Sequence, residues 1–220
     1  MMAVTNRHLC DRDFLEQIEF LTSTDIDAII LREKDMTPDE YEHLAKDVLM
    51  ICHEHHKKCI LHSFAEVAAK LNCENIHLPL PVLMELSEKD ALEGFKHIGT
   101  SVHSAEDALA AEKAGATCLT AGHIFDTDCK KGLPGRGLTF LENVCHRTKL
   151  PVYAIGGITP ENLEEVFTLP GHGLEIVKNI GTSDPDLKQI KASRPGDSKS
   201  FFGPNVLILC QMADITFLGL

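Results

Sequence analysis

The chain has 220 residues, 44% of them hydrophobic and 25% charged, with a formal net charge of -12. Such fractions belong to an ordinary folded protein and exclude a collagen-like or disordered chain. The acidic balance argues against a general nucleic-acid or membrane-surface partner, since these reward basic patches, and leaves open a small anionic ligand held in a local basic pocket.

In chain order, 3–7 reads as a short strand, and Asp13–Leu21 as a helix with apolar residues at Phe14, Leu15, Ile18 and Leu21, the three-and-four spacing of one buried face. Ala28–Leu31 is a buried strand leading into Arg32, Glu33 and Lys34. Thr37, Pro38 and Glu40 then form a capping box with proline at the first helical position, predicting a helix to about His55. Cys59–Leu61 is a third strand ending at His62 and Ser63, followed by an alanine-rich helix over Phe64–Leu71.

Asn75–Leu78 is a fourth strand, and the proline-bearing Pro79–Leu86 predicts only a brief or irregular helix. His97–Ser101 and Ala105–Ala114 make the fifth strand and helix. Cys118–Ala121 and Leu138–Arg147 make the sixth pair, with a long glycine-punctuated loop between them. Pro151–Ile155 is the seventh strand, ending at Gly156 and Gly157, with a helix beginning near Thr159–Asn162. Leu174–Val177 is the eighth strand and Pro185–Lys191 a weak eighth helix. Eight strand-then-helix units without a composition break imply a single (β/α)8 TIM barrel over residues 1–191. An open doubly wound sheet would call for fewer strands or a nucleotide glycine fingerprint, which is absent. Residues 192–220 fall outside the rhythm and are expected to be a loosely packed tail or an oligomer contact; their apolar runs are too short to span a membrane.

Eight cysteines lie at positions 10, 52, 59, 73, 118, 129, 145 and 210 with no C-x-x-C pair, and no apolar signal peptide precedes the first strand. Reduced thiols and a cytoplasmic location are expected. The stretch Cys52–Cys59, with histidines at 53, 55 and 56, invites a zinc site but lacks paired ligand spacing elsewhere. It reads better as a solvated helix terminus whose cations suit the helix dipole.

A barrel carries its chemistry at the carboxyl ends of its strands. Those ends hold Arg7, Arg32, Lys34, His62, Ser63, His77, Ser101, His103, His123, Gly156, Gly157, Lys178 and Asn179. This ring is rich in cations and imidazoles and poor in carboxylates, which favours an anionic substrate and disfavours a protein-held magnesium ion. The glycine pair suits backbone binding of phosphate. His123 enters a loop with Lys130, Lys131 and Arg136 and has apolar neighbours, Ile124 and Phe125. An imidazole there can take and return a proton near neutral pH.

Six stretches in order carry a resemblance: Leu31–Lys34, Ile76–Leu78, Ser101–Ser104, Gly122–Phe125, Thr127–Gly132 and Ala154–Ile158. Together they are similar to the thiamine phosphate synthase and TenI superfamily, from about residue 3 to residue 190. The synthases of that family have glutamine before the Leu-Arg-Glu/Asp-Lys motif, Asn-Asp after strand three and a further aspartate after strand four. Here those positions are Ile30, His62-Ser63 and the carboxylate-free Leu78–Pro81.

The resemblance, closest to TenI, therefore implies a cofactor-free and metal-free thiazole tautomerase of thiamin biosynthesis, with His123 as the catalytic residue. It places the substrate phosphate on Gly156, Gly157, Val177 and Lys178, with Thr127, Cys129 and Lys130 beside the thiazole, and it turns Arg32, Lys34, His62 and Ser101 toward the carboxylate. Lys178 departs from the small residue usual there. The alternatives are a magnesium-dependent thiamine phosphate synthase and a non-catalytic thiazole-phosphate-binding regulator.

Overall fold

The structure, a computed structural model, describes residues 2–24, 26–127, 130–159, 161–167, 169, 174–175 and 206–211, with 167, 174–175 and 206–211 described by backbone alone. Strands β1 (Met2–Val4), β2 (Ala28–Leu31), β3 (Lys58–His62), β4 (Asn75–Pro79), β5 (His97–Val102), β6 (Cys118–Gly122) and β7 (Val152–Ile155) are separated by helices α1 (Phe14–Thr22), α2 (Pro38–Glu54), α3 (Ala65–Lys70), α4 (Leu80–Glu88), α5 (Ala105–Lys113) and α6 (Gly137–Arg147). A short 3-10 turn (Arg7–Leu9), where the sequence predicted the end of the first strand, helix α7 (Leu163–Phe167) and strands β8 (Leu174–Glu175) and β9 (Val206–Gln211) complete the described elements.

The helices start where local chemistry satisfies their first amides. Asp13 accepts from the amides of Leu15 and Glu16, and Ser104 from that of Asp107. Thr37 and Glu40 form the full capping box expected for α2. Helix α4 is more regular than its prolines predict, because Pro79 is its N-cap and Pro81 lies in its first turn, where an intrahelical amide is not needed.

Every strand pairing is parallel, and β1 to β7 follow one another across the sheet in chain order. The place between β7 and β1 differs from the sequence expectation. It belongs to β9, whose Leu209 lies opposite Ile155 on one side and Met2 on the other. Of the expected eighth strand, Leu174–Glu175 form β8 against Val206 and Leu207, and 176–177 lie outside the described residues. The run Val206-Leu-Ile-Leu-Cys is apolar throughout, as a strand flanked on both edges of a parallel sheet should be. The expected eighth helix and the rest of 192–220 lie outside the described residues.

One strand face packs outward on the helices through Ile29, Leu31, Leu61, Ile76, Leu78, Leu119 and Ala121, all fully or almost fully buried. Tyr41 ties this layer to the strand ends: its hydroxyl donates to Leu31 O at 2.6 Å and accepts from His62 N at 2.9 Å. The opposite face turns Ile30, His62, His77, Ser101 and Thr120 toward a cavity.

Among the described residues no helix is long and apolar enough to cross a membrane, and no group of three or more His, Cys, Asp or Glu side chains is placed to hold a metal ion. The Cys52–Cys59 stretch is a helix end: Cys52 is buried in α2, His55 is its C-cap and pairs with Glu19 at 2.8 Å, and Cys59 is buried in β3.

Candidate active site

The cavity, of about 430 Å³, opens at the carboxyl ends of β1 to β7. Parallel register brings its polar side chains level with one another, His62 opposite His77 and Ser101 opposite Thr120. Arg32, Lys34, His62, Ser101, His123, Thr127, Lys130 and Gly156, all expected from the sequence, line it together. Gly157 stands next to the lining, and Cys129, Val177 and Lys178 lie outside the described residues. Arg7 is engaged elsewhere, with Asp35 at 2.7 and 2.5 Å and with the buried Glu33 at 3.2 Å.

The imidazoles of His62 and His77 stack with centroids 5.2 Å apart. Burial, reinforced by the neighbouring His77, Arg32 and Lys34, lowers the His62 pKa to about 2. Burial and the same two cations lower that of His77 to about 4. Both rings are therefore neutral near pH 7. Ser63 Oγ lies 2.7 Å from His62 Nδ1, and Thr120 Oγ1 lies 3.1 Å from His77 Nε2. Gly99 makes room for this pair, since a Cβ there would fall 2.9 Å from His77 Cδ2. Lys34 is also lowered, by burial first and then by Arg32 and Lys130, so three cations share one space. That concentration of positive charge is suited to an anionic ligand.

His123 follows β6 through a cis Gly122–His123 peptide and is 9% exposed. Its Nε2 lies 3.2 Å from Leu133 O. A carbonyl oxygen only accepts, so this hydrogen bond requires the proton on Nε2 and leaves the lone pair of the neutral ring on Nδ1. The Ile124 and Phe125 amides donate to Ile155 O and Gly156 O at 2.9 and 3.0 Å, extending the β6–β7 pairing past the strand end. The glycines around His123 are a packing requirement. At Gly122 a Cβ would meet Ile155 Cγ2 at 2.4 Å, and at Gly157 it would meet Asp126 O at 2.4 Å.

Thr120, Asp107 and the Leu133 carbonyl are contributors the sequence reading did not assign, and His77 and His103 are strand-end candidates it left without a role. Asp107 carried a signal: Ser104-x-x-Asp107 has capping-box spacing, and Asp107 Oδ2 accepts from His103 N at 2.8 Å.

A profile of the family described as thiamine monophosphate synthase matches residues 1–180. The chain belongs to the thiamine monophosphate synthase/TenI family. It is 30% identical over 178 residues to the thiamine-phosphate synthase of Clostridium acetobutylicum, covering 80% of this chain and 84% of that protein. It is 33% identical over 159 residues to the thiamine-phosphate synthase of Pyrococcus horikoshii, covering 71% and 76%. Among solved structures it resembles the thiamine phosphate pyrophosphorylase of Pyrococcus furiosus, with a TM-score of 0.66, 29% identity and coverage of 77% and 80%. The family's parallel α/β architecture accords with the described sheet.

Proposed function

We propose that this chain is an enzyme of thiamin biosynthesis that isomerises a carboxythiazole phosphate, on the scaffold of one (β/α)8 barrel. The observation that carries the reading is His123: a nearly buried imidazole in a cation-lined cavity, its Nε2 proton committed to Leu133 O. Nδ1 removes the proton from the ring carbon bearing the carboxylate, and the same proton is returned to the exocyclic carbon. The gain in aromaticity drives the shift, and no cofactor enters it. Arg32, Lys34, His62 and Ser101 hold the carboxylate side, Thr127, Cys129 and Lys130 flank the thiazole, and the amides at Gly156, Gly157, Val177 and Lys178 receive the phosphate. The acidic chain acts on this small anion in the cytoplasm, without nucleic acid or membrane; Val206–Gln211, expected in a tail or an oligomer contact, belongs to the sheet instead.

A second reading, condensation of a pyrimidine pyrophosphate with thiazole phosphate, is favoured by the relatives' names, and the comparisons support it better than the isomerase. That chemistry calls for magnesium, a hard cation that prefers oxygen ligands. Among the described cavity residues Asp107 is the one carboxylate, and its Oδ2 is engaged by His103 N. The described donor set does not fit the ion, and for that reason the isomerase is placed first.

Three assays separate the readings. Wild type should accelerate tautomerisation, and His123→Asn should lower the rate by about 10² to 10⁴ while leaving ligand binding intact. Efficient thiamin phosphate formation with pyrimidine pyrophosphate, thiazole phosphate and magnesium would overturn the ranking. Saturable binding with neither activity would identify a regulator.

A further inference from the structure

We propose that His103 is a positioning residue for His123, acting through the Gly122 carbonyl; this rests on the reading that His123 moves the proton. His103 Nδ1 lies 2.9 Å from Gly122 O, the oxygen of the peptide that leads into His123. Because that oxygen only accepts, His103 donates from Nδ1. The next carbonyl, His123 O, accepts from Arg136 N at 2.9 Å, and Arg136 Nη1 in turn donates to His103 O at 3.0 Å. His103 ring, Gly122, His123 and Arg136 thus form a closed circuit of hydrogen bonds joining the ends of β5 and β6 to the start of α6.

The circuit is anchored on both sides. His103 N donates to Asp107 Oδ2 at 2.8 Å, and Asp107 N donates to Ser104 Oγ at 3.0 Å, which fixes the backbone that carries the His103 ring. Gly122 is packed against Ile155 closely enough that no Cβ would fit. Both carbonyls flanking the His123 Cα are therefore tied, and the contact of Nε2 with Leu133 O fixes the ring itself. A residue that only filled space would need no Nδ1 donor, and a second proton carrier would need a titratable ring. An asparagine amide supplies the donor without the titration.

His103→Phe should lower the tautomerisation rate by about 10²-fold, the loss expected for an ångström-scale misplacement of the reacting group, with thiazole phosphate Kd changed by less than about threefold. His103→Asn should recover most of the lost rate. The His123 ring 15N signals, assigned by their absence from His123→Asn, should move in His103→Phe and stay near wild type in His103→Asn. Arg136→Met removes the guanidinium arm of the circuit while keeping its amide, and should shift the same signals if His103→Phe fails to fold.

Equal losses in His103→Phe and His103→Asn, an unchanged rate in His103→Phe, or unmoved His123 signals would each overturn the proposal. If wild type shows no tautomerisation, the functional reading falls and the ring signals alone decide the role of His103.

Discussion

A Cβ built on Gly156 falls 2.3 Å from the Cβ of His123. The glycine after β7 and the histidine after β6 occupy touching sites, so the turn proposed to bind phosphate also sets where the imidazole stands. Gly156 has φ +97, a conformation that costs an L-residue strain as well as space.

Gly156→Ala should therefore impair His123-dependent turnover more than it impairs the fold. The rate is expected to fall by about 10²-fold through displacement of the ring, with a stability loss of about 1–3 kcal/mol from the backbone. Steady-state kinetics beside urea unfolding checks both; an alanine variant with full turnover would show that His123 is not held by this contact.

Arg32→Met and Lys34→Met should each weaken carboxythiazole phosphate binding by about 10-fold or more, the scale of one charge-assisted hydrogen bond, and weaken binding of thiazole phosphate, which lacks the carboxylate, much less. Calorimetric titration gives the Kd directly. Since Lys34 loses some of its proton affinity to burial, Arg32 and Lys130, a bound anion should raise its pKa, and proton uptake on binding at alkaline pH should disappear in Lys34→Met.

Glu33 is 2% exposed and accepts from Thr5 Oγ1 at 2.6 Å and from the amide and guanidinium of Arg7. It lies between Arg32 and Lys34 and pins the loop that presents them. Glu33→Ala strands these donors and should destabilise the chain by about 1–3 kcal/mol, the cost of leaving buried donors unsatisfied. Chemical denaturation measures it, and a loss under 1 kcal/mol would mean that Arg7 finds Asp35 sufficient.

The acid limb of stability should carry the signature of His62 and His77. Their folded pKa values, about 2 and about 4, lie below the ordinary 6.5. The unfolded chain therefore binds more protons as pH drops below 6.5. Their contribution is present above that pH and is lost as pH falls toward the folded values. Unfolding free energies from pH 7 to 4.5 should report uptake of about two protons from this pair, reduced by one in His77→Gln.

The strand-and-helix rhythm of the first seven units was legible in the sequence because it is written locally. Apolar periodicity, the Thr37–Glu40 capping box and strand-end glycines each act within a few residues. The same locality exposed the site. A strand end in this architecture is a chemical position, so Arg32, Lys34, His62, Ser101 and His123 could be gathered before any contact was known. What the residues could not state was pairing across long separations. Which segment sits between β7 and β1 depends on hydrogen bonds between residues far apart in the chain, Val152 with Val206 on one side and Met2 with Leu209 on the other, and there Val206–Gln211 took the place expected of Leu174–Val177.

The neutrality of His62 and His77 comes from burial and from cations in the loop after β2, which the identity of a histidine does not reveal. The loop after β6 was recognisable as a histidine followed by cations. Only the tertiary structure decided which nitrogen of His123 holds its proton, because the Leu133 carbonyl, ten residues away, must fold back to meet it.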